Sequence, residues 1–189
     1  MGLLSRDMIE SMGFASVGND VRISDKASFY NCQNIHIGNL VRIDDFCVLS
    51  AGSGGIVLGD YIHIAIYSSL QGAGNISLAD YCNISSRVAI YSSSDDYSGE
   101  YMTNPMIPEQ FTGVTSLPVT LEQHVIVGCG AVILPGVHLH EGVAVGALSL
   151  VNKDCEAFGI YSGVPATFIE ARSKNLLEKE HAFKTWLAE

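Results

Sequence analysis

LEQHVIVGCGAVILPGVHLHEGVAVGALSLV, residues 121–151, places an aliphatic side chain at every sixth position: Leu121, Val127, Ile133, Leu139, Val145 and Val151. A period of six is neither the roughly 3.6 of an amphipathic helix nor the two-residue alternation of a half-buried strand. Four residues after each aliphatic the side chain is small: Val125, Ala131, Val137, Val143, Ser149 and Cys155. The mechanical reading is that each hexad supplies one short strand and one corner, and that three hexads close a triangular coil of roughly eighteen residues. The aliphatic points into the prism and stacks on its equivalents. The residue four places on fills a corner that admits only small groups.

The same pattern extends towards the N-terminus. Leu78, Ile84 and Ile90 form one run, and Leu58, Ile64, Leu70 and Ile76 another. Before them come Ile37, Ile43, Leu49 and then Val17, Ile23, Phe29, Ile35. The small position holds in Val21, Ala27, Val41, Cys47, Ser68, Gly74, Cys82 and Val88, and fails at Gln33 and Ile62. Glycines beside many strands (Gly18, Gly38, Gly59, Gly128, Gly146) are expected to serve the turns. Two segments break the period. Residues 91–118 are polar with three prolines, an excursion long enough to be functional. From Ile169 onward, Ile169, Leu176, Phe183 and Leu187 fall on one face of a helical pattern. The first dozen residues read as a short helix with Ser5 as N-cap. The organisation expected is a cap segment over 1–16, an all-β parallel solenoid over 17–166 interrupted by the excursion 91–118, and a C-terminal helix over 167–189.

Composition narrows the function. The chain has 189 residues, 48% of them hydrophobic, and a formal charge of −10 with no basic cluster, which excludes a nucleic-acid partner. No run of eighteen apolar residues is present, so no membrane span is expected, and the N-terminus lacks the pattern of a signal peptide. Five cysteines without a CxxC pair fit a reduced, cytoplasmic setting.

VGNDVRISDKAS, IGNLVRIDDFCV, LGDYIHIAIYSS, LADYCNISSRVA, the 127–154 stretch and the closing SGVPA at Ser162–Ala166 resemble the hexapeptide-repeat transferases, sugar O-acetyltransferases of the galactoside and maltose type among them. The resemblance covers about Val17 to Ala166. It implies a left-handed β-helix and a homotrimer with sites between subunits. It also implies transfer of acetyl from acetyl-CoA to a hydroxyl or amine of a sugar or nucleotide-linked sugar, in surface polysaccharide biosynthesis. A non-enzymatic β-solenoid scaffold is the alternative, and it predicts neither a long excursion nor a cofactor groove. A metal hydratase of the same fold needs three imidazoles on zinc. The H-x4-H pair for it is absent, so no metal is expected.

In the resembled family a histidine on the long loop is commonly the base. Here the stretch reads IYSSSDDY, and Asp95 stands about where that histidine would be. Either a carboxylate is the base, or another residue is, or the acceptor is an amine needing little help. Stacking Leu58, Leu78 and Leu121 puts Ile64, Ile84 and Val127 on one face, with His63, Asn83 and Ser85 displayed outward. His63 is therefore a candidate base or acceptor-binding group, or else a surface imidazole or subunit-contact residue, with Asn83 and Ser85 as acceptor contacts. His124 sits at a corner; it is a second candidate base oriented by Asp95 or Asp96, or a plain corner residue. Asp95 and Asp96 could also be turn formers. The resemblance points to Gly128, Cys129, Gly146 and Ala147 for coenzyme A, with Lys153 and Arg172 as cations for its phosphates or as ordinary solvated charges. Cys47, Cys82 and Cys155 occupy the small corner position and read as core. His36, His138 and His140 read as outward strand or turn residues.

Overall fold

A computed structural model describes residues 2–188 and shows a parallel β-solenoid of about seven turns closed by one C-terminal helix. Its strands fall into three ladders, one per side of the prism. The first side stacks Ser16–Val17, Ile35–Ile37, Ile56–Leu58, Ile76–Leu78, Val119–Leu121 and His138–Leu139. The second stacks Arg22–Ile23, Arg42–Ile43, His63–Ile64, Asn83–Ile84, Ile126–Val127, Ala144–Val145 and Gly159–Gly163. The third runs from Ser28–Tyr30 to Leu150–Val151. The register is the one the hexads specify: Leu58 pairs with Leu78 and Leu78 with Leu121, while Ile64 pairs with Ile84 and Ile84 with Val127. Parallel in-register pairing puts the aliphatics in columns that, past the half-buried Val17 and Phe29 of the first coil, have essentially no solvent access, each full burial worth roughly 1.5–3 kcal/mol. The corner fillers Cys47, Cys82, Val88, Val125, Ala131 and Cys155 are buried with them.

Coil length departs from eighteen in the N-terminal half. Twenty residues separate Val17 from Ile37, and twenty-one separate Ile37 from Leu58. Eighteen holds in the later coils, from Leu121 to Leu139, Val127 to Val145 and Ile133 to Val151. The additional residues sit at the corner between the third and first sides. There Asn31 and Gly55 take positive φ, and a short 3-10 turn spans Cys32–Asn34, which accounts for the failure of the pattern at Gln33. The side chains of Asn31, Asn34 and Asn75 donate to the carbonyls of Ala51, Gly52 and Gly54 in the next or preceding coil and hold these extensions together. The excursion leaves the solenoid at this same corner, between Ala89–Tyr91 and Val119–Leu121.

The other two corners are built differently from the expectation. The residue just before most of the small fillers is left-handed: Leu40, Phe46, Tyr61, Tyr67, Tyr81, Arg87, His124 and Leu148 all have φ between 55° and 64°. The glycines read from sequence as turn residues do not have positive φ. They are required by close approach between coils: a Cβ on Gly38 would lie 2.4 Å from the Gly59 carbonyl oxygen, and one on Gly128 would lie 2.5 Å from the Ala147 nitrogen.

At the ends, helix Arg6–Ser11 is capped by the Ser5 hydroxyl accepting from the Met8 amide, as the sequence predicts. The C-terminal stretch differs. Ser162–Ala166 is the turn of a hairpin in which Ala166–Ala171 returns antiparallel to Gly159–Gly163, and the helix begins only at Asn175 and ends at Leu187. Ile169 therefore lies on an exposed strand and not on the helix. The hairpin adds an edge strand to the second side, so the last coil is covered before the helix starts.

Candidate active site

The excursion is tied at its base by a two-residue antiparallel ladder, Ser93–Ser94 against Thr115–Ser116. Asp95 follows that ladder directly and lines two clefts. One, of about 540 Å³, is walled by Tyr91, Ser93, Ser94, Tyr97, Leu134 and Pro135; the other, of about 510 Å³, lies among Asn104, Pro105, Ile107, Glu109 and Thr112. The Asp95 carboxylate forms no hydrogen bond or ion pair with the described residues, and the residue is exposed. Asp96 is used otherwise. Its carboxylate accepts from the Ser98 hydroxyl and from the amides of Ser98, Gly99 and Tyr101, and these hydrogen bonds hold its pKa below the ordinary carboxylate value. It is the turn former of the loop, and these local hydrogen bonds engage both of its carboxylate oxygens.

On the second side, register brings Arg42, His63 and Asn83 into one outward column, as the hexad argument requires. His63 Nε2 lies 2.8 Å from Asp44, whose other oxygen accepts from Arg42 Nε at 2.7 Å. Burial pushes the Asp44 carboxyl up, but the hydrogen bonds from His63 and Arg42 outweigh it and leave the pKa lowered. Asp44 was not singled out from sequence, although its place beside the inward Ile43 was visible in the repeat. A shallow cleft here is lined by Asp20, Arg22, Arg42, Tyr61 and His63. The residues lining the Asp95 clefts and those lining this one do not overlap. Ser85 donates its amide to Val127 and accepts from the Ser68 hydroxyl at its carbonyl, leaving its own hydroxyl free among the described residues.

His124 and Arg172 are not placed as expected. The His124 ring stacks on Tyr81 at 4.9 Å, and Tyr81 in turn stacks on Tyr61 at 5.2 Å. His124 Nε2 lies 2.8 Å from Glu180 on the terminal helix, and both side chains are largely buried. Its imidazole anchors that helix and is not free to meet Asp95 or Asp96. Arg172 Nη1 donates to the carbonyls of His124 and Gly142, and burial lowers its pKa. Its Nη1 is committed to the end cap.

No protein-family model matches the sequence. Among curated proteins, the chain is 59% identical over 184 residues to the dTDP-4-amino-4,6-dideoxy-D-glucose acyltransferase of Escherichia coli, covering 97% of this chain and 96% of that protein. The chain belongs to the hexapeptide-repeat sugar acyltransferases. It is also 27% identical to the galactoside O-acetyltransferase of Escherichia coli K12, over 93% of this chain and 72% of that one. Among solved structures it superposes on AntD, an N-acyltransferase from Bacillus cereus bound to dTDP and 3-hydroxybutyryl-CoA. The TM-score is 0.95 at 43% identity, covering 99% and 98% of the two chains. AntD has also been solved with dTDP-4-amino-4,6-dideoxyglucose and coenzyme A, in variants replacing one serine, and with dTDP and coenzyme A in variants replacing one aspartate ten positions further on.

This acyltransferase is an acyl-CoA-dependent enzyme acting on a sugar. Its upper coils keep backbone close together. Gly128 is packed against Ala147, and Gly146 against Ser162. Cys129 is exposed beside them, and Lys153 is exposed past the last complete coil. The buried thiols are inert: burial pushes Cys82 up to about 12 and Cys155 to about 11, far from the thiolate that nucleophilic chemistry requires.

Proposed function

We propose that the chain transfers an acyl group from acyl-CoA to the amino group of a dTDP-linked aminodeoxyhexose, working in the cytoplasm as a homotrimer. The observation that carries the reading is the 59% identity, end to end, with an acyltransferase named for dTDP-4-amino-4,6-dideoxy-D-glucose. An amine acceptor also resolves the missing loop histidine. A hydroxyl must be deprotonated as it attacks, whereas a neutral amine attacks the thioester unaided, and the tetrahedral adduct then sheds the nitrogen's proton and collapses by breaking the C–S bond and expelling the coenzyme A thiolate. The task left to the protein is to orient the nitrogen and receive that proton.

Asp95 is the group for that task, because its carboxylate is exposed, unpaired among the described residues and lines both clefts. Ser85 stands ten positions before it, the spacing of the serine and aspartate replaced in AntD, and it is the partner we assign to the acceptor together with Asn83. Of the two histidines, His63 remains a surface residue held by Asp44, and His124 is a structural anchor. Gly128, Cys129, Gly146 and Ala147 are assigned to the pantetheine, and Lys153 to a phosphate. The trimer is supported by the excursion, which leaves Tyr97, Tyr101, Met102, Met106 and Phe111 exposed. Exposed apolar side chains in this number are suited to covering by another protein surface. Free thiols throughout, and a donor and nucleotide sugar that belong to the cytoplasm, support the location.

The test is acyl transfer from acetyl-CoA to dTDP-4-amino-4,6-dideoxyglucose, against the same nucleotide sugar carrying a hydroxyl at C4. Turnover with the amine at least about a hundredfold above the hydroxyl is expected, because a carboxylate that can receive the proton of the amine adduct is a weak base for a hydroxyl. Equal rates with the two acceptors would refute the assignment.

A further inference from the structure

Outside the acyl-transfer site, the first side of the prism carries two imidazoles and a carboxylate converging on one point. Thr120 pairs with His138 and Leu121 with Leu139, so Glu122 lies opposite His140 across the same pair of coils. Leu139 points into the core, and strand alternation therefore sends both His138 and His140 outward on the same face. One oxygen of Glu122 lies 2.7 Å from His138 Nε2 and 3.3 Å from His140 Nδ1, and the two rings stack with centroids 4.0 Å apart. The donor atoms of the three residues all lie within 4.8 Å of one another.

We propose that Glu122, His138 and His140 bind a divalent transition-metal ion of the Zn²⁺ class, clamping two successive coils of the solenoid. Zinc takes imidazole nitrogen and carboxylate oxygen at about 2.0–2.2 Å, so ligands of a tetrahedral site stand about 3.3 Å apart. The Glu122–His140 separation already has that value, and the Glu122–His138 contact must open by about 0.6 Å to reach it. The carboxylate is pre-oriented, since its second oxygen accepts the amide of Glu141 at 2.8 Å. The His138 backbone is pinned as well, its amide donating to Asp154. All three side chains are a little over a third exposed, so an ion has access and water completes the fourth position. The formal charge of −10 favours a cation over the whole surface. The ion would link the coil that ends the excursion to the one above it, so its effect is on the scaffold and not on the thioester.

The full-length protein, stripped with EDTA, is titrated calorimetrically with ZnCl₂, and with CoCl₂ followed by visible absorbance. Expected are one equivalent of zinc per chain, the intense visible band of four-coordinate Co²⁺, and a rise in Tm with zinc. His140→Ala and Glu122→Gln should each weaken zinc at least about tenfold and abolish the Tm rise, while Cys129→Ser leaves both unchanged. No heat on titration, the same affinity in both ligand variants, or loss of binding in Cys129→Ser would overturn the proposal.

Discussion

Removing Glu180 tests the reassignment of His124 from base to anchor. In Glu180→Ala the His124 imidazole keeps its place on Tyr81 but loses the carboxylate 2.8 Å from Nε2, in a setting where both side chains are about one-tenth exposed. An imidazole left without a partner there costs about 1–3 kcal/mol. For a chain of this length 1 kcal/mol is worth roughly 2–4 °C, so a fall of about 4–8 °C is expected for the middle of that range. Glu180→Gln, which retains an acceptor, should lose less than half as much. The measurement is thermal unfolding by circular dichroism at one fixed protein concentration, with His124→Ala and the double variant closing a cycle. A coupling of about 1–2 kcal/mol is the expected result. His124→Ala should also keep its turnover within a few-fold at a temperature where it is folded. An additive cycle with Glu180→Ala at the wild-type Tm would show that the contact is idle. A hundredfold loss of turnover in folded His124→Ala would return the histidine to the reaction.

Three further outcomes follow from the same geometry. Asp95→Asn should lower turnover at least about a hundredfold while coenzyme A affinity stays within twofold by calorimetry; unchanged turnover would remove Asp95 from the proton path. The Glu180 carboxyl is held below its ordinary value, first by the hydrogen bond from Lys184 and then by that from His124. A depressed carboxylate contributes stability above its unfolded value and loses it as pH falls through the folded one, so the Tm gap between wild type and Glu180→Gln should shrink on acidification below the ordinary glutamate range. A gap that widens on acidification would contradict that sign. Cys82→Ala should cost about 1 kcal/mol with turnover intact, and a folded but inactive Cys82→Ala protein would mean the thiol is more than a corner filler.

The columns of the prism were legible because the hexad is a local code: once Leu58, Leu78 and Leu121 are stacked, His63 and Asn83 must share a face. What the repeat could not reveal lies where the chain leaves it. His124 reads as one more corner residue, and its partner Glu180 lies 56 positions away on a helix whose docking no period encodes. Arg172 looked like a free cation because its carbonyl partners, those of His124 and Gly142, are backbone atoms that carry no sequence signal. The left-handed corners were equally hidden. Tyr61 and Tyr81 are not residues that favour positive φ, and the stacking of their rings on each other, with His124 against Tyr81 and Phe183 against Tyr61, is where that local cost is offset. The turn glycines were found for the wrong reason, since spacing marks the position and not the contact that makes Gly necessary.

The excursion departs from, and returns to, a corner that already tolerated short additions in earlier coils, and its base is closed by the Ser93–Ser94 ladder before the loop opens out. The columns on either side pass straight across this gap, with Ile76–Leu78 paired directly to Val119–Leu121. Lengthening a segment so inserted is nearly free, since doubling a flexible loop costs only about 0.6 kcal/mol in closure entropy. Selection can therefore rewrite this segment, residue by residue or wholesale, without renegotiating the packing beneath it. A lineage of such enzymes can drift from one acceptor to another while its prism stays constant, and chimaeras exchanging only residues 95–114 between relatives should fold as readily as their parents.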